Sequence, residues 1–145
     1  MIATDWFLQG KAAQATGCLE EAIDCYNKVL DENLRLLGEF HPDVALVKNS
    51  LGTVWFKKGE YERAVCYLED ALKVLYKICS PDHPMLAEAC STLGKVWSHN
   101  GDMDKAIQFY EQALIIYKKA GLMEKVPALE KKVERLFQKM KESRV

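Results

Sequence analysis

The sequence repeats itself at an offset of 42 residues, and this restricts the fold more than any other feature. Leu51-Gly52 falls on Leu93-Gly94, Trp55 on Trp97, Gly59 on Gly101, Ala64 on Ala106 and Ala71 on Ala113. His41-Pro42 falls on His83-Pro84, and Ala45 on Ala87. Moving back by the same offset puts Ala3, Gly10, Gly17, Ala22 and Leu30 in the matching slots. Self-similarity at a fixed period of this size marks stacked supersecondary units, none of which can bury its apolar face alone.

Each unit reads as a pair of helices, about 42–58 and 60–78 in the middle unit. Gly59 stands between them, where a residue with positive φ can close one helix and open the next. Gly17 and Gly101 do the same. Pro42 and Pro84 suit a first helical turn, where the missing N–H has no partner to lose. His41 and His83 precede proline, which disfavours helical dihedrals there, so His-Pro marks the joint between units. A mid-helix glycine costs about 1 kcal/mol against alanine. Gly52 and Ala64 therefore predict a close approach of the two helices, with Trp55 filling the space one turn on.

The pattern Leu51-Gly52…Trp55…Gly59-x-Tyr61…Ala64…Leu68…Ala71 resembles the tetratricopeptide repeat (TPR). The period exceeds that family's usual length of about 34 residues. It is similar to the longer repeats of the kinesin light chain type. Their joint is seen here as Leu37-Gly38-Glu39-Phe40-His41-Pro42-Asp43-Val44-Ala45, and a second joint keeps His83-Pro84 and Ala87 without the Leu-Gly. The first repeat departs from the pattern, with Gln9 for the Leu and Ala13 for the Trp. The resemblance implies an all-α fold, a right-handed α-solenoid of antiparallel helix pairs. It implies a single TPR domain over 1–145, with repeats at about 3–41, 42–83 and 84–124.

After the third repeat, Pro127 opens a further helix at about 126–142, in which Val126, Leu129, Val133, Leu136, Phe137 and Met140 form an apolar stripe. Its other face is Lys, Arg and Glu, as suits a C-terminal capping helix. Net charge is −1, yet residues 118–145 hold nine Lys/Arg against four Glu, or +5, which leaves −6 on the rest. The chain opens almost inside its first helix with no evident cap, which suggests a piece of a longer protein.

Chemistry is sparse. No Gly-rich phosphate loop, no HExxH and no Cys/His pair at ligand spacing occurs. Cys18, Cys25, Cys66, Cys79 and Cys90 are odd in number and form no CxxC, so they read as small buried hydrophobes in a reducing cytoplasm. Two of the three histidines belong to joints. No metal, cofactor or enzymatic activity is expected. No apolar run is long enough for a membrane span, and the N-terminus lacks the pattern of a signal peptide.

What remains is a binding surface. By the resemblance, the first helix of each pair lines a concave groove. The lining positions are then Phe7, Lys11, Gln14 and Ala15; Asn49, Thr53, Phe56 and Lys57; and Ser91, Lys95, Ser98 and His99. Asn49 matches the first of the family's paired asparagines, and Ser50 replaces the second. Lys11, Lys57 and Lys95 bring positive charge, and no carboxylate is among these positions. This favours an acidic peptide as partner, with Phe7 and Phe56 for an apolar anchor. The expected function is a non-catalytic protein-interaction scaffold, an adaptor binding a peptide segment in that groove. One alternative is an architectural segment that self-associates through its N-terminal repeat. A third is a basic C-terminal helix on an anionic surface; neither nucleic acid nor membrane is the favoured partner.

Overall fold

A computed structural model describes the backbone of residues 2–144 and side chains 4–144; Ala3 of the 42-residue register thus lies outside the described side chains. Among the described residues there are seven α-helices and no strand. They are α1 (Ile2–Ala15), α2 (Leu19–Leu37), α3 (Pro42–Lys57), α4 (Tyr61–Ile78), α5 (Pro84–His99), α6 (Met103–Lys119) and α7 (Val126–Ser143). A 3₁₀ turn, Met123–Lys125, leads into α7. The fold is all-α, of the α-solenoid class, with helix pairs followed by a C-terminal helix. Two compact units divide it, Met1–Ile78 and Cys79–Val145. In the first, α1 packs on α2, α2 on α3 and α3 on α4; in the second, α5 packs on α6 and α6 on α7.

The corners are built as the glycines require. Gly59 has φ +88°, its N–H donates to the Phe56 carbonyl, and the Glu60 N–H donates to the Trp55 carbonyl. Gly101, at φ +92°, repeats both bonds through Ser98 and Trp97. This is the Schellman arrangement, which satisfies two of the carbonyls a helix end leaves open.

The joints hold more than a proline. The Asp43 N–H donates to Nδ1 of His41 at 3.1 Å, and the Met85 N–H donates to Nδ1 of His83 at 3.2 Å. Each imidazole is thus the N-cap of the helix it precedes, a role worth about 0.5–2 kcal/mol in typical caps. A protonated imidazole has no acceptor nitrogen and cannot make this bond.

The mid-helix glycines lie under large side chains of the second helix, and Gly52 also meets the Ala64 backbone, the close approach its small size predicts. A Cβ on Gly52 would lie 2.6 Å from Leu68 Cγ and 3.3 Å from the Ala64 carbonyl oxygen. On Gly94 it would lie 2.7 Å from the Tyr110 ring, and on Gly10 the same distance from the Tyr26 ring. Leu68, Tyr26 and Tyr110 are all buried and stand in the 42-residue register themselves. The glycine makes room for a knob from the second helix. Trp55 lies beneath Lys58 and Arg63, and Trp97 beneath Lys105, with cation-to-centroid distances of 4.1–5.1 Å. Lys58 also pairs with Glu20 of α2, linking the first repeat to the second.

Two expectations are modified. Cys25 and Cys90 are buried, but Cys18 and Cys66 are exposed and Cys79 is half-buried. Cys18 sits at the N-cap of α2 and Cys66 on the outward side of α4, positions the core does not reach. On α7 the buried stripe is Val126, Leu129, Val133 and Leu136, while Phe137 is exposed. Phe137 follows Leu136 by about 100° of helical turn, which carries it past the edge of the α6 contact.

Candidate functional site

In the first unit the expected lining positions lie on α1 and α3. Phe7 is half-buried against Tyr26 (centroids 5.7 Å), and Lys11 Nζ lies 5.4 Å from the Phe7 ring centroid. The Tyr26 hydroxyl donates to Gln14 Oε1 at 2.8 Å, and burial raises the pKa of that tyrosine. Phe7 also lines a cavity of about 170 Å³ with Asn33, Leu46 and Asp43. The lining positions read from sequence contain no acid, but Asp43 brings a carboxylate into the pocket beside Phe7.

On α3, Asn49 is half-buried and its Oδ1 is sealed from solvent with no hydrogen-bond partner. Such an orphan costs about 1–3 kcal/mol. The Thr53 hydroxyl donates to the Asn49 carbonyl at 3.1 Å, so its proton is already used within the helix. Phe56 packs on Tyr61 (5.8 Å) across the α3–α4 corner, and Lys57 is exposed at the helix end.

The second unit is organised differently. Ser91, Lys95, Ser98 and His99 share one face of α5, as spacings of four, seven and eight residues require. His99 Nδ1 lies 2.9 Å from the Lys95 carbonyl oxygen. Opposite them stands α7. Lys95, Ser98 and His99 form one wall of a cavity of about 180 Å³, and Lys132, Arg135 and Lys139 form the other. Tyr110 and Leu136, both buried, are its floor. Burial pushes the Tyr110 hydroxyl up to about 12, and Lys132 Nζ lies 5.9 Å from that ring. A neighbouring cavity of the same size is lined by Ser91, Tyr117, Lys125 and, again, Lys132. No carboxylate lines either cavity.

The α7 cations were the part that sequence reasoning missed as site residues. Their signal lay in the helical angles: Lys125, Lys132, Arg135 and Lys139 fall within about 80° of one another, and Glu130 and Glu134 roughly opposite Lys132. Among the described residues no group of His, Cys, Asp and Glu could hold a metal ion, and no helix is long and apolar enough to cross a membrane.

Helix pairs with a Gly corner, a glycine under a knob and a cation-covered tryptophan define a tetratricopeptide-type fold. The sequence matches the Tetratricopeptide repeat family over residues 2–77 and again over residues 87–120. The chain belongs to the tetratricopeptide repeat family, and its fold is that of the kinesin light chain type.

Similar solved structures include nearly identical TPR-like repeats of the kinesin light chain type from Podosopora anserina. They share 22% identity at a TM-score of 0.81, over 93% of this chain and 65% of that one. BtubC (BKLC) from P. vanneervenii shares 21% identity at a TM-score of 0.74, over 96% of this chain and 64% of that one. The chain thus spans slightly less than two thirds of these two proteins. The first TPR of Spaghetti (RPAP3), in a structure bound to the HSP90 peptide SRMEEVD, shares 16% identity at a TM-score of 0.73, over 96% of this chain and 93% of that one. A search of curated proteins returned no match.

Proposed function

We propose that this chain is a non-catalytic cytoplasmic scaffold that binds an acidic peptide segment through the first-helix faces of its repeats. The observation that carries this reading is the charge of those faces. Lys11 and Lys57 are exposed on α1 and α3, and Lys95 on α5, with the imidazole of His99 exposed one turn further on. Polar groups of intermediate exposure at Gln14, Asn49 and Ser91 stand beside them. Such faces suit carboxylates through charge-assisted hydrogen bonds. The cavities beside Phe7 and between α5 and α7, about 170–180 Å³ each, are below the roughly 300–1,000 Å³ of a drug-sized ligand site and fit single side chains of a peptide. The peptide held by Spaghetti, SRMEEVD, is itself rich in carboxylates, which supports the same chemistry here.

The test is an array of acidic peptides, each paired with a version carrying Gln for Glu and Asn for Asp. The wild-type chain should select acidic members. Lys57→Glu with Lys95→Glu should lose that selection by tenfold or more while the far-UV spectrum stays helical. Equal retention of the amide and acid members would refute the reading.

A further inference from the structure

The structure assigns to α7 a second task besides covering α6. We propose that the cleft between α5 and α7 is the carboxylate-reading part of the chain, binding a run of consecutive Glu or Asp residues in an extended peptide. This rests on the peptide-binding reading above and names where its acidic recognition resides.

Arg135 and Lys139 oppose Lys95 and His99 across a cavity of about 180 Å³, and Lys132 also lines the next cavity, where Lys125 stands. Lys125, Arg135 and Lys139 make no ion pair among the described residues. The cations Lys132, Arg135 and Lys139 gather on one wall of the cleft, and low-dielectric surfaces such as Leu136 and Tyr110 focus their field outward.

The dimensions fit an extended chain. From Lys125, at the N-cap of α7, to Lys139 the rise is about 21 Å at 1.5 Å per residue. That is the span of about six extended residues at roughly 3.3 Å each. Two separate single-side-chain cavities lie along this line, their linings centred about seven helical residues, or roughly 10 Å, apart, which is about three residues of extended chain.

Other anionic partners fit less well. Single-stranded nucleic acid needs exposed aromatic rings on which bases stack. The cleft's aromatic, Tyr110, is only 3% exposed. A membrane-surface helix needs its apolar face free for lipid, whereas Val126, Leu129, Val133 and Leu136 are buried.

The test uses the whole chain and a fluorescein-labelled hexaglutamate peptide, followed by anisotropy at low and physiological salt. Hexaglutamine is the neutral control. Arg135→Glu should weaken hexaglutamate binding at least tenfold. Lys141→Glu makes the same change in net charge on the same helix, outside the cavity linings, and should change binding less than twofold. Equal losses in the two variants would overturn the cleft in favour of general attraction. Loss on Lys57→Glu but not on Arg135→Glu would overturn the cleft and leave the peptide-binding reading standing. If hexaglutamate fails to bind while the array selects other acidic peptides, the cleft alone falls; if both fail, both readings fall. Displacement of hexaglutamate by polyuridylate or by phosphatidylserine vesicles at lower charge concentration than by a longer acidic peptide would reassign the cleft to those partners.

Discussion

Gly52→Val should destabilise the first unit by the upper end of about 1–3 kcal/mol, and Leu68→Ala should remove most of that penalty. A side chain on Gly52 begins 2.6 Å from Leu68 Cγ and 2.9 Å from Leu68 Cδ2. Leu68 is fully buried, so it can yield only by displacing its neighbours in a close-packed interior. Over-packing of this kind typically costs about 1–3 kcal/mol. Leu68→Ala alone leaves a cavity and costs about 2–5 kcal/mol. The double variant exchanges volume across one contact, so its cost should fall well below the sum, with a coupling of about 0.5–3 kcal/mol. Some cost should persist, because the Ala64 carbonyl at 3.3 Å is backbone and cannot be trimmed. Urea unfolding of the four proteins measures the cycle. Additive costs would mean that Gly52 is retained for some reason other than the knob it faces.

Truncation after residue 125 should abolish the cooperative unfolding of the second unit. It removes Val126, Leu129, Val133 and Leu136, all buried against the rest of that unit. Each such side chain contributes about 1.5–3 kcal/mol on burial, or about 6–12 kcal/mol in all. An entire domain is stable by only about 5–15 kcal/mol. Tyr110 supplies a second readout. In the intact chain its hydroxyl is held up to about 12 by burial. A tyrosine whose pKa is raised in the folded state stabilises fully below its unfolded value, near 10. That contribution fades as pH rises towards about 12. The phenol should therefore ionise late in the intact chain and near its ordinary value in the truncated one. A truncated protein that keeps a sharp transition and a late-titrating tyrosine would show that α7 is an accessory rather than a cap.

The elements were legible because glycine and proline act locally. Positive φ at Gly59 and Gly101, and proline in the first turn of α3 and α5, place helix ends within a residue or two of expectation. Side-chain partners were harder to read. His41 and His83 were recognised as joints, but an imidazole rarely serves as a cap, and its aim depends on the rotamer. The small residues Gly52 and Ala64 point to the close approach, but not to the Leu68 side chain that fills it, although Leu68 stands in the same 42-residue register as Tyr26 and Tyr110. The charged face of α7 mixes Lys, Arg and Glu when read along the chain. Only the docking of Leu129, Val133 and Leu136 against the rest of the unit decides which flank meets α5, and that brings Lys132, Arg135 and Lys139 to Lys95. Of the expected lining positions, Thr53 and Phe56 are largely engaged in local contacts, while Lys95 and His99 gained partners from an element outside the three repeats.

Acidic-segment recognition is the central claim, and amide chemical-shift mapping tests it most directly. The ¹⁵N-labelled chain is titrated with hexaglutamate, with hexaglutamine as the control. The predicted result is a saturable set of shifts centred on Lys95, Ser98 and His99 of α5 and on Lys132, Arg135 and Lys139 of α7. Weaker changes should reach Lys11 and Lys57, and hexaglutamine should have no effect. Shifts confined to the outward side of α4, around Cys66 and Tyr67, or identical shifts with both peptides, would contradict the account.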